Sequence, residues 1–186
     1  MANLKLKNPA GGSLNLVSAD GASDLTVTFP ARTGTAMVSG NMPAFSAYRS
    51  GTQNITTATW TKVQLNSEDF DTASCFDSTT NYRFTPTVAG YYQINGAVHL
   101  SNTTDPILQT RVAIYKNGTS YRYANVNLQY PTYNVINDTT LQVSALINMN
   151  GSSDYLELWC YEYAGGTPQI VDTISTCLNG TLVRTS

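Results

Sequence analysis

Two stretches of this sequence alternate apolar and polar residues with a period of two, and that period limits what the chain can fold into. In Tyr92, Ile94, Gly96, Val98 and Leu100 an apolar set is interleaved with Gln93, Asn95, Ala97 and His99. Leu141, Val143, Ala145, Ile147 and Met149 repeat the pattern opposite Gln142, Ser144 and Asn148, with Leu146 breaking the polar set. Successive side chains of a strand point to opposite faces, so a period of two places one set on each face. No window shows a sustained helical repeat bounded by caps. The fold class is therefore expected to be all-β.

Turn signals separate the strand runs: Asn117-Gly118 after Val112 and Ile114, Asn150-Gly151 before Tyr155, Gly165-Gly166 before Ile170, and Asn179-Gly180 near the end. Many short strands at this spacing point to a β-sandwich or jelly roll, architectures that hide most strand edges. The run from Tyr155 to Tyr163 carries the most information. Leu156, Leu158 and Cys160 form one face, and Tyr155, Glu157, Trp159, Tyr161 and Tyr163 form the other. An antiparallel strand usually leaves one face to water, so this second face calls for a cover from another part of the chain or from another subunit. The subunit is the preferred reading, which makes Tyr155, Trp159, Tyr161 and Tyr163 candidates for a trimer interface.

The first part of the chain differs from the rest. Residues 1–42 hold Gly11-Gly12, Gly21, Gly34 and Gly40, with two short apolar runs, Leu14 to Val17 and Leu25 to Phe29, the second ending at Pro30. Two strands of that size do not bury a core by themselves. This segment is expected to be an attachment or stalk piece, leaving 43–186 as the head. Charged residues make up 12% of the 186, about half the usual share, and the net charge is −2. With ten Lys and Arg scattered along the chain, the basic footprint of a nucleic-acid binder is missing. A surface poor in charge and rich in Tyr suits packing between identical subunits. No apolar run reaches the roughly 20 residues of a membrane span, and the start lacks a signal-peptide pattern, so neither membrane insertion nor secretion is expected. Cys75, Cys160 and Cys177 lack metal-ligand spacing and are expected as reduced thiols.

Chemistry finds little to work with. His99 is the single histidine, and its place in the polar set suits a hydrogen-bonded strand residue better than a catalytic base. No motif marks an activated Ser or Cys, so the chain is expected not to be an enzyme. Glu68, Asp69, Asp71 and Asp77 cluster in a Ser/Thr-rich stretch read as a solvated loop. Calcium at Glu68, Asp69 and Asp71 is the one cofactor with candidate ligands, although no Gly-centred calcium loop with a closing Glu is present. For recognition the candidates are Tyr121, Arg122, Tyr123, Asn125, Asn127, Tyr130 and Tyr133, because Tyr offers a flat ring with a hydroxyl while amides bond sugar hydroxyls. The competing reading packs these tyrosines inside a trimer.

From Pro43 onward the order of motifs resembles the complement-q-like globular head, one of the tumour-necrosis-factor-like trimeric jelly rolls. The residues that carry the likeness are Ala44-Phe45-Ser46-Ala47, then Tyr82-Arg83-Phe84-Thr85-Pro86-Thr87-Val88-Ala89-Gly90-Tyr91-Tyr92, then Val112 to Gly118, Asp154 to Leu158, and Asn179-Gly180-Thr181-Leu182. The resemblance implies a homotrimer with N-termini entering at one end and loops free for recognition. A collagen-like stalk is absent. In its place, Leu4 to Gly12 and Thr26 to Thr35 resemble a segment met in bacteriophage structural and tail-fibre proteins. That likeness implies a virion protein made in a bacterial cytoplasm, a fibre or fibre-tip head that contacts other virion proteins through 1–42 and a host-surface glycan or protein through the head. A capsid decoration protein without a receptor role is the alternative, and a polysaccharide depolymerase the remote one.

Overall fold

The computed structural model describes residues 4–7, 9–16, 37–38, 40, 42–128, 136–170 and 175–186. The chain divides into two compact units, Met1–Gly34 and Thr35–Ser186. In the first, β1 (Leu4–Lys7) and β2 (Ser13–Leu16) form an antiparallel hairpin that pairs Leu4 with Leu16 and Lys7 with Ser13. The run expected from Leu25 to Phe29 lies outside the described residues.

The second unit is built from two antiparallel sheets. One contains β4 (Gln53–Asn54), β14 (Gln169–Ile170), β9 (Gly90–Ser101), β15 (Cys177–Thr185), β3 (Ala44–Tyr48) and β6 (Ser67–Asp71) in that order, with β12 (Asp138–Met149) along the other side of β9. The other runs β11 (Thr119–Asn127), β10 (Ile107–Lys116), β13 (Leu156–Ala164), β8 (Arg83–Phe84) and β7 (Phe76–Asp77), with β5 (Thr61–Lys62) also on β13. No α-helix occurs among the described residues, in keeping with the period of two.

The alternation translates directly into packing. Tyr92, Ile94, Val98 and Leu100 of β9, together with Leu141, Val143, Ala145, Ile147 and Met149 of β12, are buried, while Leu146 is 53% exposed. Their partners across the sandwich include Val112, Ile114, Leu156, Leu158 and Cys160. Aromatic rings join the two sheets at one point. Phe45 of β3 stacks on Phe84 of β8 at 4.3 Å and on Phe76 of β7 at 5.3 Å, and Tyr92 meets Phe84 edge-on at 5.4 Å. The Tyr92 hydroxyl, carried into the interior, donates to the Val88 carbonyl at 2.8 Å.

Turn chemistry explains most of the connections. Asn117 and Gly118, at φ 52° and 77°, close β10 on β11 with Lys116 opposite Thr119, the geometry of a two-residue primed turn. The Asn150 side-chain oxygen accepts the amides of Ser152, Ser153 and Asp154, each at 3.0 Å, and so shapes the turn before β13. Two expectations are corrected. Asn179-Gly180 is not a turn but lies within β15, where a Cβ on Gly180 would come within 2.4 Å of Ile94 and 2.9 Å of Phe45. Glycine stands there for packing. The acidic stretch expected as a loop is strand β6 from Ser67 to Asp71, an edge strand whose charges discourage further pairing.

Replacing Phe84 with Ala removes the ring common to two of these contacts, and a loss of about 3–5 kcal/mol is expected in denaturant unfolding. A loss below about 1 kcal/mol would show that the aromatic junction does not hold the sheets together.

Candidate functional site

The register of β11, β10 and β13 brings together residues far apart in sequence. On the outer side of this sheet, Asn127 lies across from Gln109 and Gln109 from Tyr163. Asn125 lies across from Arg111 and Arg111 from Tyr161, while Tyr123, Ala113, Trp159 and Lys62 follow one another across four strands. The alternate residues Thr110, Val112 and Ile114 face the core. Three of the expected recognition residues, Tyr123, Asn125 and Asn127, thus share one face with three expected subunit-contact residues, Trp159, Tyr161 and Tyr163. Sequence distance had kept these two sets apart.

Much of the aromatic cover comes from within the chain. Tyr115 stacks on Trp159 at 4.7 Å, and Trp60 meets Tyr115 at 5.9 Å and Tyr161 at 5.8 Å. Trp60, which the sequence reading missed, is brought there because Thr61 and Lys62 pair with Cys160 and Trp159, and the Ala58 amide donates to the Glu162 carbonyl at 2.7 Å. The Trp159 indole N–H donates to Glu157 Oε2 at 3.0 Å, and Lys62 Nζ binds Glu157 Oε1 at 2.9 Å, so the largest ring of the face is fixed in orientation. Tyr123 and Tyr163 remain 64% and 46% exposed.

Polar groups flank the rings. Arg111 lies 5.0 Å over the Tyr161 ring, its Nε donates to Asn125 Oδ1 at 3.2 Å and its Nη2 to Gln109 Oε1 at 3.1 Å. Gln109 Nε2 in turn donates to Asn127 Oδ1. A pocket of about 410 Å³, lined by Ala58, Leu108, Gln109, Asn127, Tyr161 and Tyr163, closes one end of the face. Flat rings beside oriented amides can hold the C–H face and the hydroxyls of a sugar, or a polar protein surface.

The other candidates lie elsewhere. The β10–β11 ladder shifts at Ile114/Tyr115, and Tyr121 packs against the core there. Arg122 lies 4.7 Å over its ring and donates to its carbonyl at 2.8 Å. Tyr155 precedes β13 and carries Arg83 over its ring at 4.5 Å. Tyr130 and Tyr133 lie outside the described residues. The acidic residues do not converge. The Asp71 oxygens accept the amides of Ala73 and Phe76, Asp69 accepts the Ser46 hydroxyl at 2.8 Å, and Glu68 is exposed. Asp77 accepts the backbone amides of Thr80, Thr79 and Asn81, bonds that hold its carboxyl well below the usual carboxylate range. Among the described residues no group of three or more His, Cys, Asp or Glu is placed to hold a metal ion.

The opposite sheet presents a different outer face. Its rows run Gln142–Ala97–Cys177–Tyr48, Ser144–Asn95–Asn179–Ser46 and Leu146–Gln93–Thr181–Ala44, without a single Asp, Glu, Lys or Arg. Hydrogen bonds join them: Gln93 Nε2 to Ser144 Oγ at 2.8 Å, Ser144 Oγ to Asn95 Oδ1 at 2.9 Å, and Asn95 Nδ2 to Asn179 Oδ1 at 3.2 Å. Exposed Phe70 lies beside this ladder. His99, toward one end of β9, pairs through Nε2 with Asp138.

With sheet order and both faces known, comparison with solved structures places the fold. Eiger TNF from S. frugiperda superposes with a TM-score of 0.58 at 10% identity, covering 78% of this chain and 93% of that one. Murine APRIL superposes with a TM-score of 0.57 at 7% identity, covering 76% and 99%. The fold is a tumour-necrosis-factor-like jelly roll. No family model matches the sequence, and no curated protein matches it.

Inside the jelly roll, one feature of β13 is unusual. Glu162, which continues the apolar set of Leu156, Leu158 and Cys160, is fully buried opposite Thr110, and among the described residues no hydrogen bond of normal geometry reaches its carboxyl oxygens or the Thr110 hydroxyl. Burial pushes this carboxyl up from 4.5 to about 7, against a smaller opposing influence of Asn102. The protonated form is favoured in the folded chain, so its contribution to stability is fullest at low pH and falls as pH rises from 4.5 through about 7. The cost at alkaline pH is roughly 3 kcal/mol. Glu162→Gln is expected to gain stability over the parent in denaturant unfolding at pH 8 and to lose most of that gain at pH 5. An equal difference at both pH values would contradict the buried-acid account.

Proposed function

We propose that this chain is a structural protein of a bacteriophage virion, a trimeric fibre or fibre-tip head that binds the host surface. The observation that carries the binding role is the outer face of the β10–β13 sheet. It joins exposed Tyr123 and Tyr163 to the fixed rings of Trp60, Trp159 and Tyr161, with the amides of Gln109, Asn125 and Asn127 alongside. The likeness of Leu4 to Gly12 and Thr26 to Thr35 to tail-fibre segments supports the virion assignment.

The two outer faces suit different partners. Trp159 and Tyr161 are already packed by Tyr115 and Trp60 of the same chain, which favours a ligand over a sister subunit on that side. Three rows of the face of β12, β9, β15 and β3 carry no charged residue and expose Leu146, and β6 borders them with exposed Phe70 and with Asp69 bonded to Ser46, a composition low in charge as expected where subunits meet. Assembly through it leaves the aromatic face outward on every subunit.

Tyr123→Ala combined with Tyr163→Ala removes two exposed rings that support no core contact. Binding of the labelled protein to susceptible cells is expected to fall about tenfold or more while thermal unfolding is unchanged. Undiminished cell binding would reject this face as the site.

A further inference from the structure

We propose that the ligand of the aromatic face is an acidic saccharide, one whose sugars bear carboxylate or phosphate groups; this rests on the reading of that face as the host-binding surface. The direction of the hydrogen bonds around Arg111 points to such a ligand. A guanidinium has only donors, so a side-chain amide can meet it only through oxygen. Asn125 does so at 3.2 Å and Gln109 at 3.1 Å. Gln109 is then left with its NH₂, which it donates to Asn127 Oδ1, and Asn127 is turned oxygen-inward as well. One cation therefore sets the polarity of three amides.

The consequence is a face that offers donors. All three amide oxygens are engaged within the network, while the remaining guanidinium N–H groups and the NH₂ groups of Asn125 and Asn127 have no acceptor among these bonds. Arg111 has no carboxylate within ion-pair distance among the described residues. Glu157, the acid on this face, is buried and bound by Lys62 and Trp159. Rigidly held donors around an uncompensated cation select an acceptor-rich anion, and Arg suits the planar geometry of carboxylate and phosphate oxygens. The adjacent exposed ring of Tyr163 supplies the flat apolar surface on which a sugar ring stacks, beside Tyr161 with Arg111 over it. From Trp159 to Tyr163 the strand rises roughly 13 Å, more than one sugar ring, so the face suits a stretch of polysaccharide over a single terminal sugar.

The full chain is titrated by calorimetry with oligogalacturonate, with a phosphorylated mannooligosaccharide, with a neutral maltooligosaccharide of matching length and with poly-glutamate. Binding to one or both acidic saccharides, weakened by salt and absent for the neutral chain, is expected. Arg111→Gln should lower it about tenfold. Asn125→Asp with Asn127→Asp, which keeps side-chain shape and reverses the local charge, should abolish it while thermal unfolding confirms an intact fold. Neutral chains binding as well as acidic ones, binding indifferent to both variants, or no acidic saccharide bound at all would overturn the proposal. Equal binding of poly-glutamate would overturn the saccharide part. In each of these cases host-surface binding through this face stands or falls separately, on the cell-binding loss of the Tyr123→Ala, Tyr163→Ala protein.

Discussion

The stack of Phe45 on Phe84, 4.3 Å between rings, sits where the two sheets of the head meet, and the arrangement of both outer faces depends on it. Phe45 belongs to β3 and Phe84 to β8, so the contact ties one sheet to the other and is widened by Phe76 and Tyr92. Once these rings and the alternate residues of β9 and β12 are committed to the interior, the remaining residues of every strand must point outward. Outward composition then becomes the variable part of the molecule. One sheet turns outward mostly uncharged amides and hydroxyls, with Asp69 at its edge, and the other turns outward aromatic rings with Arg111 and the Lys62–Glu157 pair.

Charge is scarce in this chain, and the scarcity gives each charged group on the aromatic face a defined task. Glu157 is buried, and it fixes Lys62 and the Trp159 indole together. Arg111 has no such counter-ion among the described residues and instead orders the amides around it. A lysine at 111 would carry the charge without the planar fork that engages two amide oxygens at once. Glu162, on the core side of β13, shows the opposite solution: with no cation beside it among the described residues, burial keeps its carboxyl in the neutral form up to about pH 7.

How much of this could be read in the sequence depended on whether the interaction was local. The buried sets of β9 and β12 and the turn at Asn117-Gly118 follow from residues adjacent in the chain. Asn179-Gly180 misled because the glycine answers to Ile94 and Phe45 rather than to a turn, and only the register of β15 reveals that. The strand at Ser67–Asp71 was hidden by its charges, which are tolerated there because it lies at an edge. Trp60 carried no periodic signal, since its place depends on two residues of β5 pairing across to β13. Glu162 was legible in principle, because extending the alternation of Leu156, Leu158 and Cys160 by one step puts it inside. The union of Tyr123, Asn125 and Asn127 with Trp159, Tyr161 and Tyr163 required the ladder itself.

The two outer faces meet different partners, a division that hydroxyl-radical footprinting of the assembled protein, read residue by residue, tests most directly. Leu146 and Phe70 on the amide-rich face are predicted to be protected from modification, while Tyr123, Tyr163 and Trp159 react. Protection of Trp159 and Tyr163 with free reaction at Leu146 and Phe70 would contradict it.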